Sequence, residues 1–175
     1  MEENNIVLVD VFDNKVGVCT KKEAHKLGKL HRAVSIFIYH DDMMLIQKRA
    51  FHKYHSGGLW SNACCSHPSD DVALSDFARK RIYEEIEIEC SIEEVFQFTY
   101  FHKFNDKIFE YEYDHVFIGE YKGDFKLNAE EAVEAKWISL EDLGVLLLEQ
   151  PQLFSVWFLI AAPKIMEIIK MRCRL

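Results

Sequence analysis

The chain has 175 residues and a mass of 20.6 kDa, enough for one compact domain and too little for two of ordinary size. Hydrophobic residues at 49% and aromatic residues at 13% supply a core and exclude a disordered chain, while seven glycines and three prolines exclude collagen-like and linker-like sequences. A net charge of −8 with no long basic run argues against nucleic acid as a partner, so an anionic ligand would need a local basic pocket or a metal.

The start, Met1-Glu2-Glu3-Asn4-Asn5, lacks the basic and apolar regions of a signal peptide. No apolar run approaches the roughly 18 residues of a membrane span. A cytoplasmic protein without a membrane partner is expected. Five cysteines, with Cys64 and Cys65 adjacent, fit neither a disulfide framework nor a zinc knuckle, so reduced thiols are expected.

Ile6 to Phe12 reads as a strand, with a turn at Asp13-Asn14-Lys15. Ala33–Tyr39 and Met43–Lys48 flank His40-Asp41-Asp42 as a hairpin. A loop rich in His, Gly and Ser runs from Phe51 to Leu59. Asp71 to Ile86 is the best helix, with Leu74, Ala78, Ile82 and Ile86 on one face. Val95–Phe104 and Ile108–Gly119 read as strands joined near Asn105-Asp106, and Val133–Ile138 as a short strand. Ser139 is a candidate N-cap for a helix through Leu148, and Phe154–Met171 is a last helix with Pro163 as its bend. Hairpin strands mixed with three helices predict a single α/β (α+β) domain over residues 1–175, a mixed sheet between helices.

Four places carry unusual chemistry: His25 and His31; the segment Trp60-Ser61-Asn62-Ala63-Cys64-Cys65-Ser66-His67-Pro68; Glu110-Tyr111-Glu112; and Glu84. Glu110 and Glu112 are two apart in a strand and point to one side, where they repel unless a cation or a proton relieves them. A solvent-facing polar stripe is the plain alternative, weakened by the apolar and aromatic neighbours Phe109, Tyr111, Tyr113, Val116 and Phe117. Three histidines with two glutamates would suit a divalent ion of the zinc or manganese type. Cys65 is either an inert buried thiol or an accessible one in a polar loop, and its neighbour Cys64 faces the opposite way. Trp60 and Trp157 are core aromatics by default.

Together these residues resemble the metal-dependent, type 1 isopentenyl-diphosphate isomerases of the Nudix superfamily, over about residues 5 to 162. The Trp60–Pro68 segment is similar to that family's W/F-T-N-x-x-C-x-H-P motif, Glu110-Tyr111-Glu112-Tyr113-Asp114 to its E-x-E strand, and Lys21, His25 and His31 to its N-terminal metal and phosphate segment. The resemblance implies a Nudix-like mixed sheet sandwiched between helices. It implies that His25, His31, His67, Glu110 and Glu112 hold one ion (Mn²⁺, Zn²⁺ or Mg²⁺), and that Cys65 and Glu112 lie on opposite faces of the substrate double bond. Tyr100 would hydrogen-bond near Glu112, and Trp157 would lie over the reacting carbon. Glu84 would hold Mg²⁺ bound to the substrate diphosphate, contacted by Lys21, Arg49 and Lys53 with Lys80 in support. The implied partner is a small molecule, isopentenyl or dimethylallyl diphosphate, and the implied assembly a monomer or weak dimer.

The chemistry asks for these groups. An unactivated alkene must gain one proton to become a tertiary cation and lose another, which needs an acid and a base across a dry cleft. A thiol and a carboxyl beside a metal can both be tuned for that work. An indole face attracts a cation without attacking it.

Four positions depart from the family pattern. The loop after His67 is about one residue short, and Tyr83-Glu84-Glu85-Ile86 stands where E-L-G-like sequence is usual. Lys80 stands for a common Arg and Val156 for a usual Pro. The rival reading is a Nudix hydrolase of a nucleoside diphosphate-type substrate, whose motif is G-x5-E-x7-R-E-U-x-E-E-x-G. Aligned from Arg79, two of its glutamates become Lys80 and Tyr83, which breaks a multi-Mg²⁺ cluster. A catalytically silent metabolite-binding module of the same fold is the other rival, opposed by the intact Cys65, Glu112 and three histidines.

Overall fold

A computed structural model describes residues 5–69 and 72–174. Its strands are β1 (Asn5–Val9), β2 (Lys15–Thr20), β3 (His31–His40), β4 (Met43–Arg49), β5 (Trp60–Ser61), β6 (Cys64–Ser66), β7 (Ile92–Asn105), β8 (Ile108–Glu120) and β9 (Ala132–Ser139). The helices are α1 (Lys21–Leu27), α2 (Leu74–Ile86), α3 (Leu140–Glu149) and α4 (Val156–Arg172). All nine strands join one mixed sheet around β3, which runs parallel to β8 and antiparallel to β1, β4 and β6.

Alternation along β3 sorts the two faces. Val34, Ile36 and Ile38 pack with Ala78, Ile82 and Ile86 of α2. Phe37 and Tyr39 pack the other way, with Phe158, Ala162 and Ile165 of α4. The sheet is therefore buried on both sides, which explains why β3 reads as a nearly continuous apolar run.

β3 and β4 pair only over Ile38–His40 and Met43–Leu45. Beyond that, β3 takes β6 as neighbour and β4 takes β9 and β5. The sheet splays at this point, and the functional cavity occupies the opening.

The expected hairpin, strands and long helices are present, with edges shifted by a few residues; Asp71, the expected start of α2, lies outside the described residues. The first strand stops at Val9 rather than Phe12, because the Asp10 carboxylate accepts from the backbone of Phe12 and Asn14 and turns the chain. Among the described residues the α-helices number four rather than three. The extra one, α1, is seven residues long, capped by the Thr20 hydroxyl and closed by Gly28 at φ 61°. Ser139 caps α3 as expected, accepting from the Asp142 N–H at 3.0 Å. Pro163 lies inside α4, which runs unbroken from Val156 to Arg172.

Candidate active site

The cavity in the splay measures about 610 Å³ and is lined by residues of α1, α2, β3, β6, β8 and α4. Register places its chemistry. On β8, Glu112 pairs with His31 of β3 on one side and with Tyr100 of β7 on the other. Cys65 of β6 pairs with Ser35 of β3. Glu112 and Cys65 thus flank β3 from opposite sides and both reach the cavity. Cys64, one residue earlier, is fully buried against α2, as alternation requires.

His25, His31, His67, Glu110 and Glu112 each offer one ligand atom, and those atoms all lie within 4.8 Å of one another. α1 carries His25 to the group. His31 Nδ1 donates to the Lys29 carbonyl at 2.8 Å, which turns its Nε2 lone pair inward to a point 3.2 Å from His25 Nε2. His67 Nε2 lies 2.7 Å from Glu112 Oε1, and the Tyr100 hydroxyl donates to Glu112 Oε2 at 2.8 Å.

Burial holds His25 down to about 2, with the His67 and His31 charges adding to it. Burial likewise takes His67 to about 3, with Lys21 adding. Both rings are therefore neutral ligands. Burial opposes ionisation of Glu112, but hydrogen bonds from Glu110, His31 and His67 outweigh it and hold its carboxyl well below the usual range. Burial and the Glu112 charge push Glu110 well up. The Glu110 oxygens are buried among ring nitrogens, with His55 Nε2 at 2.7 Å and His25 Nδ1 at 3.3 Å from Oε1, but no imidazole makes a well-aligned hydrogen bond to them. Convergent imidazole nitrogens and orphaned carboxylate oxygens at this spacing are what a divalent metal site needs.

Cys65 Sγ lies 3.0 Å from the Trp157 Nε1 donor, and burial, with the Asp114 charge, pushes the thiol up to about 12. The Trp157 ring is 4% exposed and has the Arg49 guanidinium 5.1 Å from its centroid.

Part of the cavity wall is basic. Lys21, Arg49 and Lys53 line it, and Arg49 Nε is buried without a partner, as an anion site would leave it. Burial lowers Lys21, with Arg49 and Lys53 reinforcing the shift, while Glu110 and Glu112 oppose it.

Lys80 and Glu84 line the cavity at its edge, with side chains 73% and 40% exposed. The inward pair on α2 is Arg81 and Glu85, one residue further on. Glu85 is 2% exposed, takes Arg81 Nη2 at 2.7 Å and accepts from Gln47 Nε2 at 3.2 Å. Burial, then the Glu131 charge, raises its pKa. The helix ends on Glu87 at φ 53°, in the left-handed conformation that the motif's closing glycine serves. Counting back from Glu87 puts Ile82 on the motif's apolar position and Glu84 and Glu85 on its paired glutamates. Of the three glutamates in R-E-U-x-E-E only the first is replaced, by Arg81, while Lys80 takes the place of the motif's arginine. The one-residue deletion read from the sequence disappears with this register.

Three cavity residues escaped the sequence reading. His55, within the expected loop from Phe51 to Leu59, is buried, stacks on Phe104 and places Nε2 2.7 Å from Glu110 Oε1. Tyr54 closes over His25 through its hydroxyl. Glu131 bridges Lys53 at 2.6 Å and Arg81 at 3.3 Å. Helical spacing from Ala78 and Ile82 could have marked Glu85; nothing in the pattern marked His55, Tyr54 or Glu131 among their neighbours.

Residues 29–156 match the NUDIX domain family. A curated relative, isopentenyl-diphosphate Delta-isomerase 2 of Aromatoleum aromaticum, is 46% identical over 157 residues, covering 89% of this chain and 82% of its own. The chain belongs to the isopentenyl-diphosphate Delta-isomerase family. Another member with that name, from Photorhabdus laumondii, is 42% identical over 87% of both chains. Among solved structures, DR0079 from Deinococcus radiodurans superposes with a TM-score of 0.70 at 16% identity, covering 84% of this chain and 90% of that one, which is likeness of fold.

Proposed function

We propose that this protein is an isomerase interconverting isopentenyl and dimethylallyl diphosphate, in isoprenoid biosynthesis. The observation that carries the proposal is that Cys65 and Glu112 reach one buried cavity from opposite sides of β3, with a basic stretch of wall in the same cavity. One of the pair gives a proton to the alkene and the other removes one from the neighbouring carbon, by way of a tertiary cation. The Tyr100 hydroxyl holds Glu112 Oε2. The Trp157 ring offers its π face to the cation. Lys21, Arg49 and Lys53 grip the diphosphate, with Arg81 inside and Lys80 at the rim.

His25, His31, His67, Glu110 and Glu112 would hold one divalent ion, Mn²⁺, Zn²⁺ or Mg²⁺, which neutralises the paired carboxylates and tunes Glu112. Mg²⁺ would arrive with the diphosphate, and the buried Glu85 is better placed for it than Glu84. The whole chain works as one domain, because residues from His25 to Trp157 meet at a single site. The hydrolase alternative is disfavoured by Arg81, a cation where that chemistry uses a carboxylate.

The test is turnover of isopentenyl diphosphate with Mg²⁺, with and without a chelator. An allylic product carrying deuterium from heavy water, with no phosphate released, is expected. Phosphate or pyrophosphate release without allylic product overturns the proposal.

A further inference from the structure

Asn62 has no part in the roles above, yet it touches both groups at the reacting face. It is fully buried. Its Nδ2 donates to the carbonyl oxygens of Cys64 at 2.6 Å and Ile36 at 3.1 Å. Those acceptors use both amide hydrogens and fix the orientation, since the flipped amide would set oxygen against two oxygens. Oδ1 therefore faces Ser61 Oγ at 2.9 Å, Cys65 Sγ at 3.0 Å and Trp157 Nε1 at 3.2 Å. An amide oxygen only accepts, so the hydrogen of the Cys65 contact belongs to the sulfur. Trp157 Nε1 only donates, and its one hydrogen faces Ser61 Oγ at 2.9 Å, Cys65 Sγ at 3.0 Å and Asn62 Oδ1 at 3.2 Å.

We propose that Asn62 is a positioning residue for the isomerisation: its Oδ1 takes the thiol hydrogen of Cys65 directly and shares the indole hydrogen of Trp157 with Ser61 Oγ, whose own hydrogen it accepts. This sets the thiol torsion and the indole tilt relative to each other. The inference rests on the isomerase reading for its catalytic consequence. Proton transfer and cation stabilisation both act on one five-carbon skeleton, so an error in the relative aim of the two groups spoils both. The surroundings form a clamp around Asn62 Oδ1. Ser155 Oγ donates to Ser61 Oγ at 3.0 Å, Ser61 donates to Asn62 Oδ1, and the Ser155 N–H donates to the Trp60 carbonyl at 2.9 Å. The start of α4 is thereby stapled to the cysteine segment.

The test begins with the infrared S–H stretching band of Cys65, isolated as the difference between wild type and Cys65→Ala. A band displaced to lower frequency than that of a free thiol in apolar solvent is expected; a band at the free position overturns the proposal. In Asn62→Ala the band should move to the free position. There kcat should fall about tenfold, the worth of one hydrogen bond at the transition state, with KM and bound metal unchanged. An unchanged kcat, or a loss confined to KM, overturns it. Asn62→Ala also strips two backbone carbonyls of their donor; if that variant fails to fold, the wild-type band decides alone. The band is read without turnover, so a displaced band in a protein that does not isomerise sinks the isomerase reading and leaves the hydrogen bond standing.

Discussion

One face of β8 changes character half-way along. Glu110, Glu112 and Asp114 are followed at the same alternation by Val116 and Ile118, and all five are buried. The downstream pair packs with Phe37 and with Phe158 of α4. The upstream three hold charge and unpaired oxygens: Asp114 Oδ1 has no partner, and burial, with the Glu112 charge, pushes that carboxyl well up. Burying apolar surface stabilises the fold, whereas burying charge costs free energy unless it is paired. The contrast teaches that depth alone assigns no role. The apolar half supplies the stability that keeps the polar half in a conformation it would not hold by itself.

Truncations on the two halves should separate activity from stability. Cys65→Ala and Glu112→Gln should each lower kcat by about 10²–10⁴, or ~3–5.5 kcal/mol, while urea unfolding shows a stability unchanged or raised. Full activity in either variant would remove the acid–base pair. Phe158→Ala, in the apolar half, should instead cost about 3–5 kcal/mol of unfolding free energy by the same urea measurement.

Metal should erase part of the contrast. In protein stripped by a chelator, Mn²⁺ at a hundred times its dissociation constant should add about 2.7 kcal/mol, read as a rise in Tm, and Glu110→Gln should abolish that rise. Acid should deepen the contrast in the stripped protein. Burial keeps His25 near about 2 and His67 near about 3, whereas unfolded histidine takes its proton near 6.5. Below 6.5 the unfolded chain binds more protons, so this contribution is complete above that pH and is lost as the pH falls towards 3. A flat Tm over that window would contradict the burial argument.

The smallest effect lies outside both halves. Glu87→Gly should stabilise by about 1 kcal/mol, because it relieves a left-handed residue whose Lys126 ion pair at 2.9 Å is exposed. No gain in Tm would mean that this pair is worth as much as the strain.

The sequence carried most of the long elements, since β3, β4, β7, β8 and α4 bury enough apolar residues to show a period. α1, β5 and β6 have seven, two and three residues, too short for any period to register. At the site, the motif around Cys65 and the Glu110/Glu112 spacing point to groups that meet at one cavity, because local geometry fixes their direction. Glu85 is harder to read than Glu84 because no glycine anchors the count; the left-handed turn exists at Glu87, but the residue conventionally marking it does not. His55 escaped because its burial comes from Phe104, far along the chain, and no local pattern encodes such a partner.

The central pairing of β3 with β8 has a further consequence for how the molecule is made. The Ser35–Asp114 bond joins residues 79 positions apart, and the Cys65–Trp157 bond spans 92. Such high contact order makes closure slow and leaves the site among the last regions to mature. During ribosomal synthesis the three histidines emerge well before Glu110 and Glu112. A nascent chain therefore holds only part of the His/Glu cluster until β8 has docked, and an ion bound there would act as a late lock on the fold rather than its seed.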